Sequence, residues 1–144
     1  MVTAGPAAGF ELRLAGREPV DLVCRLTGLD SASVVTEHAE SDARGNARLR
    51  KVPGPTTWGD IVIARPVDAS RELWSWRETV LRSGADRARV DGTVALLDAD
   101  GAEVALFAFA QGWPARYRVV GFDDPAGAVL EEVVICHEGL TRVG

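Results

Sequence analysis

Apolar and polar side chains alternate with period two in short runs along this chain, and that alternation is the strongest constraint on its fold. "FELRL" (10–14), "LVCRL" (22–26) and "ARLRKV" (47–52) each put apolar residues on one side and mostly polar or charged residues on the other. Such runs read as half-buried strands. "SVVTEHAE" (33–40) continues the pattern, and "SDARGN" (41–46) has the small, polar composition of an exposed turn. Residues 38–50 therefore read as a protruding hairpin. In "VPGP" (52–55) two prolines bracket a glycine and withhold amide donors, which predicts a turn.

"DIVIARPV" (60–67) is β-rich, and one helix is expected after it, over 68–83. Asp68 or Ser70 would cap it; Leu73, Trp76, Arg77, Val80 and Leu81 recur at the spacing of one helical face; Gly84 would supply a left-handed end. This segment, "RELWSWRETV" (71–80), holds two of the four tryptophans. Trp76 shares the apolar face and is assigned to packing. Trp74 points elsewhere, to the core edge or a subunit boundary. Beyond the helix, "GTVALL" (92–97) and "AEVALFAFA" (102–110) flank "DADG", whose Asp100-Gly101 pair is expected at the centre of a tight hairpin turn. "ARYRVV" (115–120) and "AVLEEVVICHE" (128–138) supply the last strands, with Asp123-Asp124 in a turn between them. The expected fold is mainly β: one domain over 1–144, an antiparallel barrel or sandwich of seven to nine strands with one helix inserted past the middle.

Composition excludes several functions. The net charge is −5 and no run of five basic residues occurs, so nucleic acid is not expected as a specific ligand, and base stacking on the tryptophans is disfavoured. No apolar run reaches the roughly 18 residues of a membrane span. The beginning of the sequence has neither a basic region nor a continuous apolar stretch of the secretory kind, so synthesis in the cytoplasm is expected. Cys24 and Cys136 lie far apart in apolar runs and read as buried, reduced thiols.

Signatures of catalysis are missing. There is no G-x-S-x-G, no G-x-x-x-x-G-K-[ST] and no H-E-x-x-H. "DADG" opens like a calcium loop, but Glu103 stands where glycine is needed and Phe109 where the bidentate acid belongs. His38 and His137 are expected to be structural, since Cys136 and His137 would face opposite sides of a strand. Glu131, Glu132 and Glu138 read as a solvated or interface face. No catalytic, cofactor or metal site is expected. Around the hairpin tip, Glu37, Glu40 and Asp42 precede Arg44, Arg48, Arg50 and Lys51, a separation of sign that suits mating with an identical neighbour.

From residue 48 onward the chain resembles the tail tube proteins of contractile phages and of phage-tail-like extracellular contractile injection systems. The resemblance rests on an ordered series of motifs. "RLRKVPGPTTWGDIVIAR" carries Lys51, Val52, Pro53, Gly54, Trp58, Gly59, Ile61, Ile63 and Arg65; "ELWSWRETV" follows with Trp76; then come the Asp-x-x-Gly hairpin, a Trp-Pro-x-x-Tyr turn at Trp113, Pro114 and Tyr117, and a His-Glu-Gly-Leu end at His137, Glu138, Gly139 and Leu140.

The resemblance implies a structural protein without cofactor or reaction. Its copies would form hexameric rings stacked into a rigid tube inside a contractile sheath, on a baseplate and hub, with effector cargo or transiting phage DNA in the channel and no membrane insertion by this chain. Glu40, Asp42, Arg44, Asn46, Arg48, Arg50 and Trp74 would then be candidate contacts between subunits or rings. Two alternatives stay open: a low-copy tube-initiating or baseplate-proximal ring of the same fold, and a monomeric ligand-binding barrel.

Overall fold

Strands dominate, as the alternation requires. The computed structural model describes residues 5–123, 125 and 127–144, so Asp124 of the expected turn lies outside the described residues. In chain order the elements are β1 (Gly9–Leu14), β2 (Val20–Val23), β3 (Arg25–Thr27), β4 (Ser31–Ser41), β5 (Ala47–Trp58), β6 (Ile61–Pro66), α1 (Glu72–Ser83), α2 (Ala85–Ala88), β7 (Val90–Leu97), β8 (Glu103–Val120), β9 (Leu130–Cys136) and β10 (Leu140–Arg142). Every pairing is antiparallel.

One sheet runs β2-β1-β7-β8-β9-β6-β3, with β10 added beside β8. Its two end strands are separated in sequence by Cys24 alone, and the Cys24 amide donates to the Ala64 carbonyl at 2.9 Å. The sheet therefore closes into a barrel through one kinked segment, in which β2 pairs with β1 and β3 pairs with β6. "LVCRL" was expected as one half-buried strand. It is broken instead, because Leu22 takes φ 58° and turns its side chain out to 60% exposure. Cys24 sits in this kink and is exposed rather than buried, Cys136 is half-buried, and both are free thiols.

The barrel interior is filled by the inward-facing positions of each strand: Leu12 and Leu14, Val20 and Val23, Ile61 and Ile63, Val94, Phe109, Val133 and Ile135. Helix α1 packs Leu73 and Trp76, 1% and 0% exposed, against this core. Trp76 Nε1 donates to the Ala88 carbonyl at 2.7 Å, which ties α2 to α1. The expected helical face is narrower than its spacing suggests: Val80 packs partly against the core, but Leu81 is 60% exposed. The helix also starts later, at Glu72, because Asp68 and Ser70 do not cap it. Asp68 accepts from the Ser70 amide and from Arg65, so its carboxylate is committed before the helix begins. Gly84 has φ 88° and ψ 163°, positive in φ but extended rather than left-handed helical.

β8 is one strand of 18 residues where two were expected around "QGWP". Gln111 takes φ 54°, and the register with β9 shifts between Pro114 and Arg116, so the break signals are absorbed as bulges. Trp113, Pro114 and Tyr117 consequently lie within a strand, not a turn. Glycine is required at 92 and 112, because a Cβ at either would stand 2.4 Å from the Phe109 ring.

β4 and β5 form a separate two-stranded ribbon, paired from Ser31↔Trp58 to Ser41↔Ala47. The turn expected at 52–55 does not form. β5 runs straight through "VPGP" with a bulge opposite Val34, since a ribbon strand has one unpaired edge on which proline costs no ladder bond. Both hairpins share one loop. At 42–46 and at 98–102 an aspartate amide donates to the fifth residue, the glycine amide donates back to the aspartate carbonyl, and the glycine takes positive φ. The "DADG" turn is thus centred on Ala99-Asp100 with Gly101 as its left-handed residue, one position from the expected centre.

Candidate assembly surface

Ribbon residues 31–58 are almost all exposed, so nothing in the subunit covers them. Cross-strand register sorts them onto two faces. One carries Thr36 opposite Val52, His38 opposite Arg50 and Glu40 opposite Arg48. On this face Glu40 pairs with Arg48 at 3.8 Å and Arg50 at 3.7 Å. The other carries Val35 opposite Pro53, Glu37 opposite Lys51, Ala39 opposite Leu49 and Ser41 opposite Ala47. It is largely apolar, and Val35 and Leu49 are 63% and 70% exposed.

The six polar contact residues expected in the hairpin therefore do cluster at its distal end. Asp42 is internal to the turn: its carboxylate accepts from the Arg44 amide at 2.8 Å and the Asn46 amide at 2.9 Å. Those amides, Asn46 first, hold it below the usual carboxylate range. Arg44, Asn46, Arg48 and Arg50 remain exposed. Trp74 stands apart from them, half-buried, edge-on to Tyr117 with ring centroids 5.3 Å apart.

His137 anchors the base of the ribbon. The Gly139 amide donates to its Nδ1 at 3.2 Å, which leaves the Nε2 proton to donate to the Gly59 carbonyl at 2.9 Å. Trp58 lies 6.4 Å from its ring on the ribbon side and Phe109 6.1 Å on the core side. A Cβ at Gly59 would stand 2.2 Å from Asp30 Oδ1, so the exposed Asp30 carboxylate would have to swing aside. A Cβ at Gly54 would stand 3.0 Å from the Val34 carbonyl oxygen, a close but less severe approach. Arg89 lies over the half-buried Trp113 at 5.9 Å and donates to Glu138, which is exposed.

Sequence reasoning missed an ionic cluster at the barrel closure. Arg65 and Glu131 occupy inward positions in register with Ile63↔Val133 and Ile61↔Ile135, and are 1% and 3% exposed. Glu131 is thus buried, contrary to the solvated face expected for it; Glu132 is half-buried with Arg118 at 2.7 Å, and Glu138 alone fits the expectation. Arg65 donates through Nε to the Asp21 carbonyl at 2.9 Å, and through its terminal nitrogens to Asp68 at 2.9 and 3.1 Å, Asp21 Oδ1 at 3.4 Å and Glu131 at 3.5 Å. It joins β6 to β2 at the kink. The signal was present: "IVIAR" alternates, which puts Arg65 in phase with Ile61 and Ile63.

Tyr117 donates to Glu131 Oε2 at 3.2 Å, and burial, then the Glu131 charge, push its phenol up to about 12. The folded chain keeps that proton where the unfolded chain has released it, so stability falls as pH rises from about 10 to about 12. Tyr117 is the only tyrosine. Its tyrosinate absorbance should rise near pH 12 in native protein and near 10 in urea; a native midpoint near 10 would refute the Glu131 contact.

Among the described residues, no three His, Cys, Asp or Glu side chains are placed to hold a metal ion, and no helix is long and apolar enough to cross a membrane.

The fold has known counterparts. A chain of the PVC sheath-tube complex, an extracellular contractile injection system in its extended state, superposes with a TM-score of 0.75 at 19% identity, covering 96% of this chain and 90% of that one. A chain of the anti-feeding prophage baseplate gives 0.73 at 16% identity, covering 100% and 98%. Hcp1 from Flavobacterium johnsoniae gives 0.64 at 20% identity, covering 94% of each chain. At these identities the likeness is one of fold. A search of the curated proteins returns no significant match. The sequence itself fits the family model described as T4-like virus tail tube protein gp19 over residues 7–141. With nearly its whole length inside that match, and with the closed barrel, the projecting ribbon and the bracing helix in place, the chain belongs to the T4-like virus tail tube protein family.

Proposed function

We propose that this chain is a structural subunit of the inner tube of a contractile injection system or contractile phage tail, assembled as stacked hexameric rings inside a sheath. The observation that carries this reading is the ribbon. A lone two-stranded ribbon is marginal in water, and this one leaves both outer edges unpaired and Val35 and Leu49 uncovered. Identical neighbours supply the missing burial, and ring closure removes the open edges. Many modest interfaces acting together then give the polymer its stiffness.

The subunit's work in this proposal is mechanical, with no chemical step. Sheath contraction drives the tube through a target envelope, and the channel holds effector cargo. Structural similarity to chains of sheath-tube and baseplate complexes supports sheath and baseplate partners. Assembly in the cytoplasm and incorporation into a phage-tail-like particle complete the reading.

Deleting residues 41–46 should leave the barrel folded, with its melting temperature and circular dichroism close to those of the intact chain, and abolish tubes in electron micrographs. Unchanged tubes would sink the proposed role of the ribbon. A second reading, a low-copy ring that starts the tube near the baseplate, is favoured by the similarity to a baseplate chain. Purified protein that gives isolated rings and never long tubes would select it.

A further inference from the structure

The projecting ribbon is fastened to the barrel by very few side chains. Among the described residues, every side-chain hydrogen bond and ion pair of residues 31–58 stays within the ribbon: Ser33 with Thr56, Thr57 with Ala32, Asp42 with its own turn, and Glu40 with Arg48 and Arg50. The link at its base is one imidazole. His137, just past β9, lies 6.4 Å from the ring of Trp58, the last residue of β5, and its Nε2 donates to the carbonyl of Gly59, the next residue, at 2.9 Å. Phe109 of the barrel core closes the other side at 6.1 Å. The ring therefore bridges core and ribbon.

Both ring nitrogens are committed, and in opposite senses. Nε2 gives its proton to Gly59, while Nδ1 accepts from the Gly139 amide at 3.2 Å. Only the neutral ring can do both. A proton added at Nδ1 turns that acceptor into a donor, which then faces the Gly139 N–H, donor against donor. The Gly139 carbonyl also lies 3.2 Å from Nδ1, and it already accepts from the Ala110 amide at 3.0 Å. Its second lone pair can take the new proton once the ring swings off the Gly139 N–H. The imidazole is rigid, so the bond from its far nitrogen to Gly59 is disturbed by the same swing.

We propose that His137 is a proton-operated latch: neutral, it holds the ribbon's base at a fixed angle to the barrel, and protonated, it lets the base go. Imidazole is the side chain that ordinarily changes charge between about pH 5 and 8. Around the ring stand the Asp30 carboxylate against Gly59, Asp60 next in sequence, Glu138 with its partner Arg89, and the Cys136 thiol beside Asp60. Carboxylates, guanidinium and thiol have ordinary pKa values outside that range, which leaves the ring as the group that titrates within it. A two-stranded ribbon freed at its base is marginal in water and frays. On the tube-subunit reading above, on which this consequence rests, tubes form readily at neutral pH and poorly in mild acid.

Nuclear magnetic resonance of the protein below its assembly concentration tests the latch. Every sample carries His38→Gln, which removes the other histidine. Between about pH 7.5 and about pH 5.5, protection of the Gly139 amide, corrected for the intrinsic pH dependence of exchange, should fall about tenfold, the size expected for losing one hydrogen bond. Order parameters of residues 47–58 should fall with it. His137→Gln keeps a donor for Gly59 and an acceptor for Gly139 but takes up no proton, so both quantities should stay flat. Unchanged protection and order in the titrating protein would overturn the latch, as would an equal change in His137→Gln. Should that variant fail to fold, ring-nitrogen chemical shifts of His137 itself decide: a proton on Nε2 at about pH 7.5 supports the latch, and one on Nδ1 overturns it. Electron micrographs then separate the two readings. Tubes equally abundant at both pH values while the latch opens would overturn the assembly consequence. No tubes at either pH from protein whose latch opens would sink the tube reading and leave the latch standing.

Discussion

Trp76→Ala should destabilise the subunit by about 3–5 kcal/mol, enough to leave much of it unfolded at body temperature if its total stability lies at the lower end of the usual 5–15 kcal/mol. The indole is fully buried, in the cluster that includes Leu73 and Ala88. Truncation opens a cavity where the helix meets the barrel. It also strands the Ala88 carbonyl, which now accepts the indole N–H at 2.7 Å and whose loss of a partner accounts for about 1–3 kcal/mol of that total. Urea denaturation followed by far-ultraviolet circular dichroism measures the sum. Trp76→Phe refills most of the cavity but cannot donate, so it should lose less than the alanine variant while still loosening α2. Equal losses from the two would mean that the hydrogen bond, not the volume, carries the residue's contribution.

The helix shows how sequence and fold relate in this protein. Trp76 and Leu73 were legible because a helix repeats its buried face every three or four residues and few other segments here offer that spacing. Leu81 was not. It continues the period, but α1 ends at Ser83 and its last turn lies beyond the barrel, so the pattern outruns the surface that would bury it. The start at Glu72 was misplaced for a tertiary reason: Asp68, a good cap by type, is held by Arg65.

The β segments divide in the same way. Hairpin 38–50 was readable from local turn chemistry, and its Asp-x-x-Gly loop recurs at 98–101 with the same hydrogen bonds. Where a proline or glycine was read as a break, the outcome depended on neighbours that the local sequence does not reveal. "VPGP" stays in a strand because its ribbon has a free edge, and "QGWP" stays in a strand because β8 changes partner from β7 to β9 there. Glu131 was read as solvated although it is in phase with Val133 and Ile135. Yet Glu132, Val134 and Cys136 form an equally regular alternative, and only pairing with β6 selects between them. Residues Glu40 to Arg50 do lie together at the end of the ribbon, whereas the exposed apolar residues Val35, Leu49 and Leu22 escaped notice because strand propensity alone does not say that a strand is left bare.

Arg65→Met should cost about 3–5 kcal/mol, although methionine packs well in a core. The reason is what remains. Glu131 would keep its buried place with the Tyr117 hydroxyl but without its cation, and an uncompensated buried carboxylate is far more costly than an exposed one. Asp21 and Asp68 are exposed enough to be hydrated, so most of the loss falls on Glu131. Pairing Arg65→Met with Glu131→Leu tests this assignment, because removing both charges avoids the orphan and should restore at least half of the stability lost by the single variant. A double variant as unstable as the single one would place the loss in the Arg65 bond to the Asp21 carbonyl, and hence in the barrel closure rather than in the charge. Acid provides an independent check. Arg65, followed by the Ser70 amide, holds the Asp68 carboxyl below its usual range, so the folded state binds that proton later than the unfolded state does. The stability it contributes is present above about pH 4 and is lost as pH falls through the lowered folded value. With methionine at 65 the larger cause of that depression is gone, and the stability profile below pH 4 should flatten relative to the parent even as the whole curve drops.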